Sequence, residues 1–191
     1  MQRCCLGRLW AACLVLVLGM GCGSAKAQYG LYAMGSGGYL GSVNAGQGSL
    51  VVSQNSLSAY GGTFGFYDSL LHAGPLHLGA DARYVIESSG GSTRYGNQIR
   101  SGLIGPRLAL RSRGVPFSPY VQFEIGGVGT NYGYYASRST SFAYQIQVGL
   151  DYAVARHVDA RIEYGGGQIG SAFDGYRQGM QQVGIGLVVR F

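Results

Sequence analysis

Residues 182–191 read Gln-Val-Gly-Ile-Gly-Leu-Val-Val-Arg-Phe and end the chain. Large apolar side chains occupy every second position from Val183 to Phe191, while Gln182, two glycines, Val188 and Arg190 fill the positions between them. Successive residues of a β-strand point to opposite faces of the sheet. The stretch therefore predicts a terminal strand with one continuous apolar face and one face of small and polar residues.

The same period of two residues recurs in seven segments upstream. They lie near residues 29–34, 58–66, 76–87, 104–111, 120–126, 142–153 and 157–165, the first without a clear face. A β-bulge is expected at Pro106, because proline removes a ladder hydrogen bond. Short connections near 68–75, 112–119 and 153–157 alternate with longer Gly/Ser/Tyr/Asn-rich ones near 35–55, 88–98, 129–141 and 166–179. This pattern predicts an all-β fold, an eight-stranded antiparallel up-and-down β-barrel.

The polar face of these strands indicates which side of the barrel is inside. Its charged residues nearly balance, and small residues and glutamines surround them; they are Asp81, Arg83, Glu87, Arg107, Arg111, Glu124, Asp151, Asp159, Arg161, Glu163 and Arg190. Paired charges and small residues suit the narrow interior of eight strands, and residues 28–191 contain no lysine for a water-facing surface. The expectation is a transmembrane barrel with a polar interior, a lipid-facing exterior and aromatic girdles. A soluble barrel or sandwich is the alternative.

Residues 1–27 have the features of a cleavable signal peptide. Two arginines precede an apolar stretch over residues 9–20, and small residues lead to Ala25-Lys26-Ala27. The alternatives are an N-terminal anchor helix and a lipoprotein cleaved before Cys22. Cleavage after Ala27 removes all four cysteines, so the predicted domain, residues 28–191, has no thiol chemistry. It also removes Arg3, Arg8 and Lys26, which lowers the formal net charge from +6 to +3, too little to indicate a nucleic-acid partner.

The terminal strand, the leader and the eight strands together resemble the small OmpA/OmpX-type outer-membrane β-barrel domain family. The residues that carry the terminal assembly signal are Gly184, Gly186, Leu187, Val189 and Phe191. The resemblance implies a bacterial outer-membrane location, periplasmic chaperones and the barrel assembly machinery as partners during biogenesis, and contact with outer-membrane lipid and lipopolysaccharide. It implies that both termini and the short turns face the periplasm. A monomer is expected.

No motif indicates a cofactor or a metal site, and we expect no catalysis. His77 and Asp81 share one strand face and could orient a base beside a serine, but the available serines have no distinctive setting. The long loops are the better contact candidates, because tyrosine and arginine are typical of adaptable binding surfaces. The residues concerned are Tyr132, Tyr134, Tyr135, Arg138, Tyr176 and Arg177. The expected function is a structural or surface-interaction protein; a narrow small-solute pore and a lipid-modifying envelope enzyme are the alternatives.

Overall fold

The computed structural model describes residues 28–41, 43–47, 50–54, 57–89, 97–112, 114–132, 138–170 and 178–191. The signal peptide expected over residues 1–27 lies outside the described residues. No helix long and apolar enough to cross a bilayer occurs within those ranges.

Ten strands account for most of the described chain. They are β1 (Gln28–Leu40), β2 (Val43–Gln47), β3 (Leu50–Gln54), β4 (Leu57–Ala73), β5 (Leu76–Ser89), β6 (Asn97–Leu110), β7 (Phe117–Tyr132), β8 (Arg138–Ala155), β9 (Val158–Ile169) and β10 (Gln178–Arg190). Eight of them form a closed barrel in the order β1-β10-β9-β8-β7-β6-β5-β4, and β2 and β3 pair separately. All barrel neighbours are antiparallel. The predicted eight-stranded up-and-down barrel is confirmed.

The strands are staggered around the barrel. Ala160 of β9 pairs with Leu187, Leu187 pairs with Ala33, and so on from strand to strand. After one turn around the barrel, this path returns to Gly170, directly after the other end of β9. Such a stagger requires the strands to tilt against the barrel axis. The two ends differ: the short-turn end holds the connections 74–75, 111–116 and 156–157. The loop end holds the connections 90–96, 133–137 and 170–177 and the long connection that contains β2–β3.

The two faces of the barrel wall have opposite polarity. Ile185 and Leu187 point outward and expose 69% and 56% of their surface, whereas Glu124 and Gln147 point inward and expose none. This inverts the arrangement of a water-soluble protein, in which charged residues are almost never fully buried. Because each of the eight barrel strands pairs on both sides in a closed ring, the wall meets the backbone requirement for spanning lipid.

The interior is polar in the middle and towards the short-turn end, but not throughout. Apolar side chains fill its loop end; we call them the apolar layer, and they are Leu40, Ala59, Ile99, Leu103, Val128, Ala143, Ile169 and Met180. Most belong to strand segments that extend beyond the predicted bounds. The expected long loops are correspondingly shorter, and the first contains the unpredicted pair β2–β3.

The prediction of a β-bulge at Pro106 is wrong. Pro106 faces outward opposite Ala80, and β5 and β6 keep one register past it. Pairing with β7 stops after Ile104 and resumes at Arg107 in the same register, so the missing N–H falls where the ladder is already open. Register shifts occur instead at Leu70 and Val154, each an extra residue beside a short turn.

Candidate functional site in the barrel interior

Three arginines and three tyrosines occupy the centre of the barrel, and we call them the Arg–Tyr cluster: Arg83, Arg107, Arg161, Tyr32, Tyr67 and Tyr120. Six of the eight barrel strands supply them: β5, β6 and β9 carry the arginines, and β1, β4 and β7 carry the tyrosines. All six side chains are buried. A charge in such a place must be paired and hydrogen-bonded, or the cost of removing it from water is not recovered.

Arg161 and Arg107 share one carboxylate. Arg161 binds Asp151 through two donors, with Nε at 2.7 Å from Oδ1 and Nη2 at 2.9 Å from Oδ2. Arg107 Nη2 donates to the same Asp151 Oδ2 at 2.8 Å, and its Nη1 lies 3.8 Å from Asp81 Oδ2. The planar guanidinium suits this two-pronged contact in a way that an ammonium group does not.

Arg83 contacts three acidic side chains in the middle of the barrel. Its Nη2 donates to Glu163 Oε2 at 2.9 Å, its Nε lies 2.8 Å from Glu124 Oε1, and Asp81 Oδ1 is 3.7 Å from the same nitrogen. Two tyrosine hydroxyls complete the set: Tyr32 donates to Asp81 Oδ1 and Tyr120 donates to Glu163 Oε2, each at 2.7 Å.

The tyrosine rings also lie against the guanidinium groups. The Arg107 Cζ atom is 3.8 Å from the ring centre of Tyr120 and 4.0 Å from that of Tyr67, and Arg161 lies 4.4 Å from the ring of Tyr32. Such contacts add attraction when water is excluded.

Each ring rests on a glycine directly across the ladder. Tyr32 is opposite Gly65, Tyr67 is opposite Gly30, and Tyr120 is opposite Gly149. A Cβ added at Gly65 would fall 2.2 Å from the Tyr32 ring. These glycines leave the space that the rings occupy.

Amide side chains continue the polar interior towards the loop end. Gln122 donates to Glu124 at 3.0 Å, and Gln182 donates to Glu87 at 2.8 Å. Gln145 and Gln147 each place Nε2 at 3.4 Å from Gln182 Oε1. The apolar layer lies beyond them.

The structure places the predicted charged residues on the inner face. Nine are buried: Asp81, Arg83, Glu87, Arg107, Glu124, Asp151, Asp159, Arg161 and Glu163. Arg111 and Arg190 are partly exposed at the short-turn end, where both approach Asp159. Glu87 is separate from the arginines and meets Gln182 instead. The tyrosines were missed, although Tyr120 has the parity of Gln122 and Glu124 in β7, which would have placed it inside.

The possible catalytic pair does not meet. His77 Nδ1 lies 3.2 Å from Ser69 Oγ, whereas Asp81 contacts Tyr32, Arg83 and Arg107. No described hydrogen bond joins His77 to Asp81, so these residues do not form a serine–histidine–aspartate relay. The described ranges also contain no group of three or more His, Cys, Asp or Glu side chains placed to hold a metal ion.

The loop contact candidates fall largely outside the described residues. Tyr134, Tyr135, Tyr176 and Arg177 are not described; Tyr132 ends β7, and Arg138 begins β8. The assembly-signal residues lie in β10 or directly after it. There Leu187, Val189 and Phe191 face outward, and Phe191 stacks on Tyr29 with ring centres 5.3 Å apart, beside the β1–β10 seam.

The chain is similar to solved structures of outer-membrane proteins, and the first of them has the same fold. Neisserial surface protein A is 17% identical, with a TM-score of 0.58, over 87% of this chain and 100% of that chain. Ail, the attachment invasion locus protein of Yersinia pestis, is 12% identical with a TM-score of 0.49, and the N-terminal barrel domain of Pseudomonas aeruginosa OprF is 13% identical with a TM-score of 0.48; each is matched over 87% of this chain and all of its own.

A search of curated proteins finds no significant match. Residues 13–191 match the family described as outer membrane protein β-barrel domain. The resemblance stated from the sequence is confirmed, and the chain belongs to the outer membrane protein β-barrel domain family.

Proposed function

We propose that this protein is a structural and surface-contact component of the bacterial outer membrane that neither conducts solutes nor catalyses a reaction. The observation that carries the proposal is an interior that side chains fill from its middle to its loop end. The Arg–Tyr cluster occupies the centre, and the apolar layer occupies the loop end. Eight strands enclose a space that side chains can just fill. Such a barrel best supports two functions: it is a rigid element of the membrane, and its loops contact the environment.

The runner-up is a narrow pore, and conductance separates the two. Protein whose folding is verified by its shift on unboiled gels is inserted into a planar lipid bilayer, with a larger porin as the positive control. We expect no current steps above those of lipid alone, because an ion would have to cross the buried Arg83–Glu163 pair and then an apolar layer. Reproducible steps from the folded protein would replace the proposal with the pore.

The enzyme alternative rests on His77 and Ser69, 3.2 Å apart. Lipid A and phospholipid are incubated with the wild type and with His77→Ala. We expect no turnover by either protein, because no hydrogen bond joins the His77 imidazole to a carboxylate among the described residues. Turnover by the wild type that His77→Ala abolishes would establish catalysis.

Export and assembly are part of the proposal. Residues 1–27 act as a cleaved signal peptide, chaperones carry residues 28–191 across the periplasm, and β10 presents its terminal signal to the barrel assembly machinery. Fractionation should then recover a cysteine-free, monomeric protein in the outer membrane, in a band that shifts on boiling. Soluble periplasmic protein without a shift would contradict this.

The loop surface is proposed to contact the phosphorylated headgroups of lipopolysaccharide through Arg138 and Arg177, beside the loop tyrosines. The unfolding temperature of the reconstituted protein is compared in vesicles with and without lipopolysaccharide. We expect the glycolipid to raise it for the wild type and to raise it less for the Arg138→Gln/Arg177→Gln double variant. An equal rise in both would remove these arginines from the contact surface.

A further inference from the structure

A cavity of about 440 Å³ opens at the short-turn end of the barrel, and we call it the vestibule. Asp151 and Asp159 lie in its wall, Ser112 contributes a hydroxyl, and the turn before β7 forms part of its rim. Ser118 also lines the cavity, but its hydroxyl donates to the Leu110 carbonyl oxygen at 3.0 Å. Its volume lies in the range of small-molecule sites. The Arg–Tyr cluster closes it towards the middle of the barrel.

Two arginines in the vestibule share one carboxylate. Arg190 Nη2 lies 2.7 Å from Asp159 Oδ1, and Arg111 Nη2 lies 4.0 Å from Asp159 Oδ2. The Asp159 side chain is only 3% exposed, whereas those of Arg190 and Arg111 are 21% and 19% exposed. Asp151, the other lining acid, is already held by Arg107 and Arg161. Positive charge therefore exceeds negative charge where the cavity meets solvent.

The interior charges are separated along the barrel axis. Glu87, Glu124 and Glu163 lie in the middle or nearer the loop end, with Arg83 among them. The short-turn half holds four arginines against two aspartates, namely Arg107, Arg111, Arg161, Arg190, Asp151 and Asp159. Asp81 lies between the two groups, 3.8 Å from Arg107 and 3.7 Å from Arg83, so the short-turn half keeps an excess of positive charge. A cleft with low-dielectric walls and one predominant sign of charge concentrates ions of the opposite sign. This vestibule accordingly favours anions.

Further hydrogen-bond donors line the same cavity. The rings of His72 and His77 both line the vestibule, with their centres 5.3 Å apart. Arg190 Nε is a buried donor that forms no hydrogen bond with the described residues. A phosphate group presents three or more acceptor oxygens, so it can accept from Arg190 Nε and from an imidazole or the Ser112 hydroxyl at the same time.

We propose that the vestibule is a binding site for a small phosphate-bearing anion, held between Arg190 and Arg111 with Asp159 as a competing internal anion. Bound phosphate would take guanidinium donors that now face Asp159. Removing that carboxylate should strengthen binding, while removing Arg190 should weaken it. A structural role of these residues alone would produce no such opposite response.

The test is titration calorimetry of the refolded protein in a maltoside detergent, with inorganic phosphate and glycerol phosphate as probes. We expect saturable binding by the wild type, about tenfold weaker binding by Arg190→Gln and about tenfold tighter binding by Asp159→Asn, as for one charged hydrogen bond. Folding of each variant is checked by its shift on unboiled gels. Arg100→Gln, on the outer face of β6, is the control and should bind as the wild type does.

A third probe, phosphatidic acid in mixed micelles, identifies the source of the phosphate. Binding of this lipid without binding of the soluble anions would make the ligand a lipid headgroup, and binding of glycerol phosphate would make it a soluble compound. Absence of saturable binding of all three probes to the folded wild type would overturn the proposal. Equal loss of binding in Arg100→Gln and Arg190→Gln would also overturn it, because it would indicate non-specific attraction.

Discussion

Two tyrosine hydroxyls in the Arg–Tyr cluster have different surroundings although both rings lie against Arg107. Tyr120 donates to the Glu163 carboxylate, while the Tyr67 hydroxyl is buried without a hydrogen-bond partner among the described residues. Removing a donor from a charged acceptor costs more than removing one that has no acceptor. The pair therefore separates the contribution of the hydroxyl from that of the ring.

Tyr120→Phe should lower the free energy of unfolding by about 1.5–3 kcal/mol, because Glu163 loses a hydrogen bond in a buried site. Tyr67→Phe keeps the ring and should leave stability unchanged or slightly raised. Urea unfolding in lipid vesicles, followed by circular dichroism, measures both. Equal losses in the two variants would mean that ring packing, and not the Glu163 bond, determines the effect.

Arg161→Gln should be more damaging. The change removes both donors to Asp151 and leaves a buried carboxylate with Arg107 as its remaining partner. Breaking a buried pair in this way costs about 3–5 kcal/mol. Arg156→Gln, in the exposed β8–β9 turn, is the matched control and should unfold as the wild type does. Unfolding of Arg161→Gln at the wild-type urea concentration would remove the interior network as a source of stability.

In the strands with a clear alternation, periodicity predicts which charged and amide side chains face inward, but not which of them touch. Gln122 and Glu124 are assigned to the interior by their parity alone. The pairing of Arg83 with Glu163, on β5 and β9, depends on the stagger around the barrel, which a period of two residues does not specify. The apolar layer is not predicted for another reason: Ile169 lies in the predicted loop 166–179, and Ile99 lies between the predicted loop 88–98 and the predicted strand 104–111.

At the scale of the strand, inward glycines mark places where neighbouring backbones come close. A Cβ at Gly105 of β6 would fall 1.7 Å from the carbonyl oxygen of Phe123 in β7. Gly186 of β10 has the same relation to Ala33, at 2.1 Å. Glycine kinks of this kind let a sheet curve sharply enough to close. The sequence shows these glycines but not which of them are kinks, because outward glycines such as Gly102 occur in the same strands.

Gly105→Ala should destabilise the barrel by about 1–3 kcal/mol, because the obstacle is backbone and the two strands must separate to admit a methyl group. Gly102→Ala lies three residues away in β6, points outward and meets nothing within 4 Å, so it should unfold as the wild type does or slightly later. The midpoints of urea unfolding are compared. A Gly105→Ala midpoint at or above that of Gly102→Ala would show that β6 and β7 do not approach so closely.

At the scale of the whole molecule, stability depends on the outer face being surrounded by lipid and not by water. Ile185 pairs with Ile162 in the middle of β10 and β9, and both side chains point outward. Val154 also points outward, but it is the bulge residue next to the β8–β9 turn. The first position is expected at the bilayer midplane and the second near its edge. The cost of a charge at each place therefore measures the depth of the barrel in the membrane.

Ile185→Arg should lower the free energy of unfolding in lipid vesicles by about 2–4 kcal/mol, whereas Val154→Arg should cost about 0–1 kcal/mol. The difference arises because an arginine at the midplane is far from water, while one at the edge reaches the headgroups. A barrel with a water-facing exterior would show no dependence on position, since both side chains would be solvated alike. Equal and negligible costs at the two positions would therefore exclude the lipid-facing orientation. A cost at Ile185 but not at Val154 would place the middle of the strands in the hydrocarbon core.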